Sequence, residues 1–93
     1  MRVKQSELEA MVSELNRKAG RPQRGERSLR LNYQATYGGK QYGGYRLVEM
    51  MQHGGEWDIW PRGGRAMGRE MAAYLEGALG VFDMIAKAKE AQR

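Results

Sequence analysis

The chain has no cysteine, one histidine, one phenylalanine and only two prolines in 93 residues. Without cysteine there is no disulfide framework, no thiolate metal site and no thiol nucleophile. The lone histidine, His53, sits in a glycine-flanked turn with no partner to hold it, so general acid–base catalysis has no candidate. Ser6 reads as a helix cap, and Ser13 and Ser28 have no base or orienting group in the sequence around them. No apolar run approaches the ~18 residues that a membrane span needs. Arg2 and Lys4 lead into a charged stretch, residues 5–9, so no signal peptide is expected and the cytosol is the expected compartment. No cofactor or metal is expected either. Glu56 and Asp58 share a strand face, but two carboxylates without further oxygen ligands make a weak cation site.

What is present is globular in composition. Apolar residues make up 41% and charged residues 29%, which suits a single domain over residues 1–93. The 16 basic residues outnumber the 11 acidic ones, for a net charge of +5. The excess is concentrated. Residues 17–30 hold Arg17, Lys18, Arg21, Arg24, Arg27 and Arg30 against Glu26 alone. Such a cluster on a small domain is the electrostatic footprint of a polyanion partner.

Periodicity divides the chain into five elements. Leu8, Met11, Val12 and Leu15 make one apolar stripe, and the Ser6/Glu9 pair reads as a capping box, predicting a helix over 6–19. Gly20 and Pro22 close it. Leu29, Leu31, Tyr33, Ala35 and Tyr37 alternate with polar residues, predicting a strand over 28–37. A second strand is expected over 45–51, with two facings open. Either Tyr45, Leu47 and Met51 point inward and carry Glu49, or Val48 and Met50 do and carry Arg46. Gly54-Gly55 turns the chain into a third strand over 56–60, ended by Pro61. A last helix is expected over 66–90, with Gly80 marking a potential break.

Neither a meander nor a lone amphipathic helix can bury its own apolar surface. The expected fold is therefore α+β, a two-layer sandwich of order α-β-β-β-α. Both helices lie on one face of a three-stranded antiparallel meander, and the other face is open.

Two further features bear on binding. Tyr37-Gly-Gly and Tyr42-Gly-Gly-Tyr45 nearly repeat, with Lys40 between them. They read as a glycine-rich hairpin with packed tyrosines, or as a platform on which bases stack while Lys40 and Arg46 meet phosphate. Trp57 and Trp60 should face opposite ways in a regular strand. Trp60, near Arg62 and Arg65, is the candidate for an exposed stacking group or protein anchor.

The element order resembles that of the double-stranded RNA-binding domain. In that family a stretch like Ser13-Glu-Leu-Asn-Arg-Lys-Ala-Gly20 belongs to the first helix, which meets the minor groove. The Arg65-Ala-Met-Gly-Arg-Glu-Met-Ala-Ala73 stretch resembles the basic start of its second helix, with Arg65, Arg69, Ala72 and Ala73 matching. The family's Gly-Pro-x-His loop has no counterpart here. A second resemblance is to short accessory proteins of bacteriophages and mobile elements. It rests on Tyr42-Gly-Gly-Tyr-Arg-Leu47, Gly54-Gly55, Asp58 and Arg69-Glu70, and implies an origin but no activity.

Two functions are therefore expected from the sequence. One is a non-enzymatic nucleic-acid-binding module. It would use Arg17, Lys18, Arg21, Arg24, Arg27, Arg30, Lys40, Arg46, Arg62, Arg65 and Arg69, with Tyr37, Tyr42, Tyr45 and Trp60 for stacking. The alternative is an accessory protein that binds and modulates a host protein through the same aromatic residues. An edge of the first or third strand would offer a pairing surface for a homodimer.

Overall fold

The structure is a computed structural model that describes residues 3–34 and 43–92. It has the α+β order expected: α1 (Gln5–Lys18), β1 (Leu29–Gln34), β2 (Gly44–Met50), β3 (Glu56–Trp60) and α2 (Gly68–Ala91). The strands form one antiparallel sheet in the order β1-β2-β3. Leu8, Val12 and Leu15 of α1, Leu29 and Leu47 of the sheet, and Met71 and Leu75 of α2 make one buried cluster. Both helices therefore cover the same sheet face.

The helices run parallel and in step. Lys18 pairs with Asp83 at an offset of 65 residues. At the other end a side-chain carbon at Gly68 would lie 3.8 Å from the Val3 Cβ, at the same offset. The Lys18 ammonium holds the Asp83 carboxyl below its ordinary range, chiefly through their hydrogen bond. Because α1 stops opposite Asp83, the last two turns of α2 project past it.

The facing of β2 is decided by the helices. Tyr45 and Leu47 point toward them, and Glu49 is carried to the same side. A carboxylate at the rim of an apolar layer needs a partner. Arg21 supplies it, in an ion pair with Glu49. Val48, though fully buried, lies outside the main cluster, in the row Arg30, Val48 and Asp58 on the open face.

Three local expectations are corrected. The helix α1 starts at Gln5, one residue early, with Lys4 as its cap residue. Ser6 therefore lies inside the first turn, where it cannot cap, and Glu9 accepts instead from Gln5 Nε2 (3.3 Å). Gly80 does not break α2, which continues unbroken to Ala91. The alternation of Trp57 and Trp60 fails because the β2–β3 register shifts between Leu47 and Val48. That irregularity sets Trp57 opposite Glu49 and Trp60 opposite Leu47, both in the helix-facing row.

A side-chain carbon at Gly80 would meet nothing within 4 Å. Glycine costs a helix interior about 1 kcal/mol relative to alanine. Gly80→Ala is therefore expected to raise the melting temperature by roughly 4–8 °C, checked by thermal unfolding followed by circular dichroism.

Candidate nucleic-acid interface

The connector between α1 and β1, residues 19–28, is pinned at several points. Gly20 takes a positive φ of 70° as the chain leaves α1. The Arg21 N–H donates to the Asn16 carbonyl (2.8 Å), and its guanidinium reaches both Glu49 and the Arg27 carbonyl. Gln23 Nε2 donates to the Ser13 carbonyl at 2.8 Å. Ser28 Oγ donates to the Gly25 carbonyl at 2.7 Å. The Arg27 N–H donates to the Met50 carbonyl at 2.7 Å, stitching the loop onto β2. Finally, the buried Asn16 clamps both backbone groups of Leu29. It accepts from its N–H (2.8 Å) and donates to its carbonyl (3.0 Å).

The cations named from the sequence fall into two groups on this frame. Arg17 pairs with Glu14, Lys18 with Asp83 and Glu14, Arg21 with Glu49, and Arg46 with Asp58. The Arg17–Glu14 pair lowers the Glu14 carboxyl and raises the guanidinium, mainly through their hydrogen bond. Arg65 is half-buried and donates to the Asn32 carbonyl, the Asn32 Oδ1 and the Gly44 carbonyl. Desolvation, with Arg46 nearby, lowers its pKa. Lys18, Arg21, Arg46 and Arg65 join separate elements, Arg17 pairs within α1, and all but Arg65 have their charge offset by a carboxylate.

Arg24, Arg27, Arg30, Arg62 and Arg69 are exposed, and their guanidinium groups have no hydrogen-bond or ion-pair partner among the described residues. Arg24, Arg27 and Arg30 crowd the connector and the first turnward residues of β1. Arg69 lies in the first turn of α2, beyond the opposite end of β1, a strand that spans roughly 20 Å. Arg62 joins Arg46, Met51, Glu56, Trp57 and Asp58 around a shallow open groove of about 630 Å³. Its two carboxylates offset its two guanidinium groups. The basic residues named from the sequence are thus spread over the sheet's length and do not form one patch. The dense part is the connector.

The aromatic candidates divide as well. Tyr37, Lys40 and Tyr42 lie outside the described residues. Tyr45 is half-buried with its ring 4.9 Å from that of Tyr33. Trp60 is not the exposed tryptophan. It stacks on Tyr74 with ring centres 4.5 Å apart and planes 4° from parallel, against the core. The exposed one is Trp57, at 56%. Among the described residues no group of three His, Asp or Glu side chains could hold a metal ion, and no helix is long and apolar enough to cross a membrane. Compared with known proteins, the chain matches no protein-family model, no curated protein and no solved structure.

Proposed function

We propose that this protein is a non-enzymatic binding module whose connector, residues 19–28, with Arg30 contacts the phosphates of a nucleic acid. One observation carries the reading: three unpaired guanidinium groups project from fixed backbone, Arg24 and Arg27 from a loop held by hydrogen bonds and Arg30 from the start of β1. A loop ordered before binding loses little conformational entropy on binding, so its charges act at full effect. Arg62 and Arg69 add weaker, more distant contacts, and Trp57 offers a face for base stacking. The element order shared with the double-stranded RNA-binding domain is consistent with a duplex ligand.

Five phosphate contacts on duplex DNA correspond to a slope of about −4.5 in log K against log salt. The variant R24A/R27A/R30A is expected to keep only about two contacts and a slope near −2. Its affinity should fall at least tenfold for every sequence alike. Fluorescence anisotropy on duplex RNA, duplex DNA and single strands at several salt concentrations measures both quantities. A wild-type slope near zero removes the nucleic-acid reading. An unchanged slope in the triple variant removes the connector as the interface.

The second reading is an accessory protein, of the bacteriophage type, that docks on a host protein. Its support is the pairing of exposed Trp57 and Met51 with mixed charge around the groove. An aromatic anchor ringed by polar groups is how protein interfaces are centred. Retention of a host protein after nuclease treatment, lost on Trp57→Ala, distinguishes it.

A further inference from the structure

The C-terminal half of α2 carries an apolar stripe that the fold leaves uncovered. Val81 is 54% exposed, Met84 71% and Ile85 46%. At 3.6 residues per turn, Tyr74, Gly77, Val81, Met84, Ile85 and Ala88 fall within a sector about 100° wide. The stripe begins at the core, where Tyr74 stacks on Trp60, and runs out along the turns past α1. No Asp, Glu, Lys or Arg lies in it. Gly77 belongs to it, and a side-chain carbon there would meet nothing within 4 Å. Packing within the chain therefore gives no reason for a residue that costs the helix about 1 kcal/mol.

We infer that a second copy of this chain covers the stripe, in an antiparallel pairing of the two α2 helices. The stripe is complementary to itself about a two-fold axis between Val81 and Met84. Val81 then meets the partner's Met84 and Gly77 meets the partner's Ala88, while the bulky Tyr74 lies level with the partner's small Ala91. Side chains of medium size meet at the centre, and a small residue takes part in each outer layer. Such a contact is isologous and closes at two copies. A seam from Tyr74 to Ala91 is about 27 Å long, and pairing two of them removes on the order of 1,000 Å² from water. That is the lower end for a specific interface, so the dimer is a weak one.

The pairing has a geometric consequence that does not depend on the nucleic-acid reading. Lys18 pairs with Asp83, which lies on the face of α2 opposite the stripe, so the end of α1, and with it the start of the connector, sits level with the seam on the far side of the helix. A dimer therefore carries its two connectors on either side of one two-fold axis.

Sedimentation equilibrium of the full chain from about 5 to about 500 µM tests this. The expected result is a monomer–dimer equilibrium with a dissociation constant in the tens of micromolar. Met84→Glu should raise that constant at least tenfold, and Val81→Asp should act alike. Circular dichroism and thermal unfolding of dilute Met84→Glu should match the wild type, because the side chain is already exposed. A wild-type protein that stays monomeric throughout overturns the inference. So does a dimer that persists in both variants, which would place the contact elsewhere, as on the β1 edge.

Discussion

Asn16→Ala is expected to destabilise the protein by about 3 kcal/mol. Asn16 is 1% exposed, and its side chain serves both the N–H and the carbonyl of Leu29. Those groups lie on the outer edge of β1, under α1, where water does not reach. Removing the carboxamide leaves one donor and one acceptor buried without partners. Each costs roughly 1–3 kcal/mol, more than the net gain of an ordinary hydrogen bond. At this chain length, the loss corresponds to a fall in melting temperature of roughly 12–24 °C. Asn16→Asp separates the two contacts. The carboxylate still accepts from the Leu29 N–H, but it cannot donate to the carbonyl and it buries a charge. It should be no more stable than the alanine variant. Urea denaturation gives both values, and a loss under 1 kcal/mol for Asn16→Ala would show that the clamp is dispensable.

Asn16 also marks where reading the sequence stopped short. Its position, four residues beyond Val12, lies in the apolar stripe of α1, and a polar residue in such a stripe signals a buried hydrogen-bonding task. What it binds could not be read, because the partner is backbone 13 residues away and backbone has no sequence signature. The elements themselves were legible. Leu8, Val12 and Leu15 set the helical period, and Leu29 and Leu31 the strand period. Two helices and a meander admit few ways to bury both apolar faces.

The site was legible in part. That residues 17–30 are basic is plain in the sequence, and the i, i+3 pairing of Glu14 with Arg17 follows from helix geometry. Arg21–Glu49 and Arg46–Asp58 required the facing and register of β2, which the sequence left open. The exchange of Trp60 for Trp57 had the same kind of cause. One irregularity in the β2–β3 ladder placed both rings in the helix-facing row, and only Trp60 meets a helix there, at Tyr74. What survives as free charge is what the tertiary pairs do not consume. That subtraction turns a basic segment into three candidate contacts.

Gly44→Ala is expected to be the second severe lesion, although the sequence suggests only a pliable glycine-rich hairpin there. Gly44 has φ of +132°, a backbone region that side chains other than hydrogen scarcely enter. A Cβ at this position would lie 2.8 Å from the Ala66 carbonyl oxygen and 3.2 Å from the Arg65 Cβ. The first of these is backbone and cannot swing aside. It is also fixed, since Tyr45 and Ala66 exchange two hydrogen bonds of 2.8 Å. Strain and clash together should cost on the order of 3 kcal/mol or more. Relief would require breaking the Tyr45–Ala66 bridge and the Arg65 contact to the Gly44 carbonyl, which join β2 to the chain entering α2. Gly63→Ala is the control, with φ of +75° but nothing within 4 Å of the added carbon. It should lose only about 1 kcal/mol, the conformational part alone. Equal losses for the two variants would show that the close approach to Ala66 is not what requires glycine. The connector lies at the opposite end of β1, so whatever fraction of Gly44→Ala remains folded in the cold should keep the wild-type salt slope. A change in that slope would tie the two ends of the sheet together and require a larger interface than the connector alone.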